Sequence, residues 1–170
     1  MEWFEKYQTF VAGLIGFLGV IATINANGNQ NQKQLREQRA QEARALRCTL
    51  IEELRLISDS FVVNMEDLSN QSIYPIAYIP STPHIQAFKQ LVPNFGLLTT
   101  DEIRKTMLAY QLIQELPDRL RFLQTMDSSV HMDNFVAIDE HQSRNVVKVF
   151  DSMLSPVIQA IAILEHYDRG

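Results

Sequence analysis

Three short stretches of this sequence carry side chains of the kinds that do chemistry. Cys48, in a charged stem beside Arg47, is a potential nucleophile. Asp139-Glu140-His141, with Arg144 one turn on, offers carboxylate and imidazole ligands of the sort that hold a metal ion. Glu165-His166-Tyr167-Asp168 offers acid–base groups at the end of the chain. Each has a plainer reading. No histidine lies near Cys48 in sequence, so it reads as an exposed, incidental thiol. Adjacent residues point about 100° apart on a helix, so Asp139, Glu140 and His141 do not converge on one ion there. Acidic residues at a helix start also simply complement the macrodipole, and a frayed chain end disfavours an exact site. No phosphate-binding glycine loop, nucleophile elbow or H-E-x-x-H is present. The sequence therefore assigns no catalytic, cofactor-binding or metal-binding residue and implies no cofactor.

The elements that carry these residues begin with an apolar run. Phe10 to Ile24 has no charge, and extended from Tyr7 to Ala26 it reaches about 30 Å as a helix, one hydrocarbon thickness. Trp3, Phe4 and Tyr7 precede it, where aromatic rings favour the headgroup layer. Ile24-Asn25-Ala26 resembles a signal cleavage site. However, the leading flank carries Glu2, Glu5 and only Lys6, whereas a signal peptide starts with a positive region. The run reads as a retained anchor contacting the lipid bilayer. Lys33, Arg36, Arg39 and Arg44 follow it, so the expected orientation is N-terminus out and the body in the cytoplasm, at the cytoplasmic (inner) membrane. Ala12, Gly13, Gly16 and Gly19 include the small-xxx-small pairs Ala12/Gly16 and Gly19/Thr23, which would let two spans approach closely.

Charge divides the remainder. From Ala26 to Arg47 there are five basic residues against two acidic, whereas from Cys48 onward there are 9 basic against 16 acidic. An acidic body argues against nucleic acid as a partner. One cysteine permits no internal disulfide. The expected organisation is an anchor over 1–27, a basic helical stem over 28–45, and an acidic body over 46–170.

The body reads as all-α, a small antiparallel bundle with kinked helices. Ala43, Leu46, Leu50, Leu54, Ile57 and Phe61 recur at three- and four-residue spacings on a helix ending near Leu68. Ser69 to His84 contains Pro75, Pro80 and Pro83 and reads as a loop. Its Tyr74, Ile76, Tyr78 and Ile79 either pack back over the body or form a docking surface. A short helix over 85–92 is expected to stop at Pro93. Thr99-Thr100-Asp101-Glu102 is a capping box opening a helix with Ile103, Met107, Tyr110, Ile113, Leu116, Leu120 and Leu123 on one side. Pro117 is expected to kink it. After a turn over 128–134, a last helix is expected from Phe135 to Tyr167. Its inner face reads as Val147, Phe150, Leu154, Val157, Ile161 and Leu164, with Pro156 kinking or restarting it.

The pattern W-F-x-K-Y-Q-T-F-V-A-G-L-I-G-F-L-G with a Gln/Arg-rich stem, and V-P-N-F-G-L-L-T-T-D-E-I-R-K later, resembles small bacterial proteins with one N-terminal transmembrane span and a helical soluble domain. The resemblance implies the anchor and the helical body and carries over no activity or site residue. The leading functional expectation is a non-enzymatic, membrane-anchored module binding a protein partner or itself. A membrane-acting sensor or effector of a stress or antiviral defence pathway is the second. A metal-dependent enzyme using Asp139, Glu140 and His141 is the third.

Overall fold

The computed structural model describes residues 2–69, 75–82 and 84–168, with side chains over 27, 30–69, 75–82 and 84–167. The elements are α1 (Glu2–Ser69), β1 (Ile76–Pro80), α2 (Gln86–Leu91), a 3-10 segment (Val92–Leu97), α3 (Thr100–Arg121), a 3-10 turn (Ser128–Val130), β2 (Phe135–Asp139) and α4 (Glu140–Asp168). The chain divides into two compact units, Met1–Glu42 and Ala43–Gly170.

In the first unit the described side chains are all exposed. Lys33 lies 3.9 Å from Glu37, and the Gln38 amide donates to Glu42 at 2.9 Å. Such i,i+4 pairs contribute only tenths of a kcal/mol, as expected of a solvated helix. Leu35 is exposed among them. The side chains assigned to the anchor (Phe10, Ala12, Gly13, Gly16, Gly19, Ile24) and to its interface (Trp3, Phe4, Tyr7) lie outside the described residues.

The second unit is mostly helical, but it is not all-α. β1 and β2 pair antiparallel, with Tyr78 opposite Ala137 and Ile79 opposite Val136. This corrects the reading of residues 76–80 as loop and of 135–139 as helix. Neither strand carries the alternation that marks a strand in sequence. Val136, Ala137 and Ile138 are all buried, so β2 is a continuous apolar run without the polar alternation of a half-buried strand. β1 is five residues long and ends in proline, which is tolerated on a sheet edge. Asn134 enters β2 with φ of 65°, a left-handed conformation that Asn adopts more readily than most residues.

The bundle is not uniformly antiparallel. Arg47 meets Glu102 and Glu53 meets Tyr110, so α1 and α3 run in the same direction. Arg55 meets Glu165 and Phe61 meets Phe150, so α4 runs against α1. The parallel pair is possible because the chain between α1 and α3 is long enough to return along the bundle. α2 opens beside Glu53 on that return path.

The core is the predicted α1 stripe, with Leu50 and Leu54 fully buried, packed on Tyr110, Ile113, Leu116 and Leu120 of α3. On α4 the seam is Val146, Phe150, Met153, Val157, Ala160 and Leu164, all fully buried. The expected Val147, Leu154 and Ile161 flank it, half-buried. Met107 faces outward, also contrary to expectation. Pro117 and Pro156 both sit inside continuous helices, so no new segment starts at Pro156. Pro93 is the second residue of the 3-10 segment that follows α2. The Thr99 capping box is formed as expected.

Among the described residues one helix, Glu140–Tyr167, is long and apolar enough to cross a membrane by length and composition. Its buried seam belongs to the core of this unit.

Candidate binding groove

An open groove of about 850 Å³ runs along α1. One wall is a single face of α1, formed by Thr49, Glu52, Glu53, Leu56, Ser60 and Asn64. These positions recur every three or four residues because that spacing repeats one helix face. The facing wall is the return chain, with Pro80, Thr82, His84, Gln86 and Ala87. Ile57, Phe61, Ile79, Leu116 and Phe150 complete the lining with apolar surface. The volume falls within the ~300–1,000 Å³ typical of ligand pockets, and a mostly apolar lining with a few polar groups is their usual composition.

Glu53 ties the two walls together. Its Oε1 accepts from the Ala87 amide at 2.8 Å, and its Oε2 accepts from the Phe88 amide at 2.9 Å and the Tyr110 hydroxyl at 2.7 Å. Ile85, at the N-cap of α2, supplies no side-chain acceptor. Glu53 therefore caps α2 from another helix, satisfying amides that would otherwise lack partners. Phe88 then stacks on Tyr110, with ring centroids 3.9 Å apart, and meets Phe95 edge-on at 5.8 Å. Burial of Tyr110 raises its pKa well above the usual tyrosine range, and the hydrogen bond and charge of Glu53 reinforce the shift. The phenol is thus held as a donor.

A second polar link closes the Thr99 end of α3. Arg47 Nε donates to Glu102 Oε1 at 2.5 Å, while the Thr99 amide donates to Oε2 at 2.8 Å. Burial of Glu102 pushes its pKa up, but Arg47 and the Thr99 amide and hydroxyl together outweigh it. The carboxyl lies below its ordinary range. A carboxylate fully buried in this way persists only because it is paired and hydrogen-bonded.

The residues singled out by sequence are scattered. Asp139 accepts from the Gln142 amide at 2.9 Å, the geometry of a helix cap, while Glu140 and His141 are exposed. Among the described residues no group of three His, Cys, Asp or Glu side chains is placed to hold a metal ion. Cys48 is exposed, as expected. Glu165 pairs with Arg55 at 2.6 Å, and His166 lies edge-on to Tyr167. Arg36 and Arg39 are exposed, as are Lys33 and Arg44. Within the expected docking loop, Ile79 is buried in the groove lining, Ile76 is half-buried and Tyr78 is exposed. Tyr74 lies outside the described residues.

The sequence alone gives Glu53 and Tyr110 no such role. One signal was present in the sequence. Glu53 sits between Leu50 and Ile57 at helical spacing, placing a charge at the margin of a core stripe, where it needs a partner.

No protein-family model, no curated protein and no solved structure matches this chain.

Proposed function

We propose that the chain is a membrane-anchored, non-enzymatic helical module that binds a protein partner, or a second copy of itself, at the cytoplasmic face of the inner membrane. The observation that carries the binding half of this reading is the groove along α1, where Leu56 stands 71% exposed beside an apolar lining. Exposed apolar surface within a built groove is the usual mark of an interaction site. The anchor half rests on the uncharged run Phe10–Ile24. The orientation rests on Lys33, Arg36, Arg39 and Arg44 behind it, because basic residues near a span resist translocation.

The test is a photo-crosslinking amino acid at position 56 of the full chain, irradiated in native membranes. A discrete product heavier than the chain is expected, confined to the membrane fraction. Only uncrosslinked chain after irradiation would overturn the binding half. Recovery of the chain in the soluble fraction would overturn the anchor half.

A further inference from the structure

Resting on that reading, we propose that the groove receives a basic amphipathic helix of a protein partner. Its apolar face lies on the groove lining and its cationic side chains lie against the α1 rim. Three observations lead to this occupant.

The first is length. The groove face of α1 runs from Thr49 to Asn64, which at 1.5 Å per residue spans about 22 Å, or about four helical turns. The second is shape. A wall built from one helix face presents rows of side chains at three- and four-residue spacing, into which a second helix packs with anchors at i, i+3, i+4 and i+7.

The third is charge. Between Thr49 and Ser69, α1 carries five carboxylates against Arg55 alone. Arg55 is already bonded to Glu52 and Glu165, each at 2.6 Å. The carboxylates lining the groove are Glu52, which is exposed, and Glu53, which already accepts three hydrogen bonds; His84 lies opposite, and no lysine or arginine is among the lining residues. Such a rim attracts a cationic partner and repels an anionic lipid surface. The basic stem of a second copy fits poorly, because Leu35 is its one large apolar side chain between residues 28 and 45.

The probe is a fluorescein-labelled helical peptide of about four turns, with leucine along one face and lysine along the other. Its control has glutamate in place of every lysine. Both are titrated by fluorescence anisotropy into full-length protein in phosphatidylcholine nanodiscs, with binding to empty discs subtracted. The lysine peptide is expected to bind at least about tenfold tighter than the glutamate peptide, with an affinity that falls as salt is added. Leu56→Asn, at an exposed position, should weaken the lysine peptide by about tenfold. Glu52→Lys should weaken the lysine peptide and strengthen the glutamate peptide. Glu52 and Arg55 are both at least half exposed, so breaking their pair leaves the fold intact.

Equal binding of the two peptides, no binding of either, or unchanged binding to Leu56→Asn would each overturn the proposal. If the chain fails to enter the discs, the anchor reading fails. The same titration on the soluble chain then still decides what the groove binds.

Discussion

The hydroxyl of Tyr110 donates to Glu53 at 2.7 Å, one of two polar links, with Arg47–Glu102, between the parallel helices α1 and α3. Because Glu53 also caps α2, one carboxylate joins α1 to both α3 and the return chain that forms the second wall of the groove.

Glu53→Ala should therefore cost more than Tyr110→Phe. The phenylalanine variant loses one hydrogen bond to a charged group, about 1.5–3 kcal/mol. The alanine variant leaves the phenol and two helix-terminal amides without their acceptor, which should cost about 3 kcal/mol or more. Urea unfolding of the two variants beside the parent should give that order. The reverse order would show that the capping of α2 contributes little.

The same pair sets an alkaline limit. The folded-state pKa of Tyr110 is raised, so its contribution to stability is complete below the unfolded value and is lost as pH rises past it, above roughly pH 10. In an ultraviolet titration Tyr110 should ionise together with unfolding. Tyr110→Phe should remove that step.

Arg47 and Glu102 should contribute to acid sensitivity. The folded-state pKa of Glu102 lies below its unfolded value, so its contribution is complete above roughly pH 4.3 and is lost as pH falls through the lower, folded value. Arg47→Ala leaves the carboxylate buried without its cation and should cost about 3–5 kcal/mol at neutral pH. Glu102→Gln should lower neutral stability and flatten the acid limb of a pH–melting curve. An unflattened limb would place the acid sensitivity elsewhere.

Asp139 should behave as a cap. Asp139→Ala should destabilise by about 1 kcal/mol, and EDTA should leave the melting temperature of the parent protein unchanged. A fall in melting temperature on chelation would restore the reading of Asp139, Glu140 and His141 as metal ligands.

Cys48 reports topology, being the one thiol in the chain and exposed. A membrane-impermeant maleimide should leave it unlabelled in intact cells and label it after permeabilisation. Labelling of intact cells would place the acidic body outside.

Features encoded by near neighbours in the chain are legible without the fold. Helical spacing from Ala43 to Phe61 marked a face that proves buried, and Thr99 with Glu102 marked a helix start that forms as read. Both signals lie within a few residues of one another and require no distant partner. Features that need partners far apart in the chain emerge only on folding. Val136, Ala137 and Ile138 form a strand because Ala77, Tyr78 and Ile79 pair with them, and no local propensity distinguished that run from a helix start. α1 and α3 lie parallel because the intervening chain returns along the bundle, where Glu53 supplies the cap that Ile85 cannot. The groove has the same origin: its α1 wall was legible as a helix face, but its other wall is brought alongside only by folding.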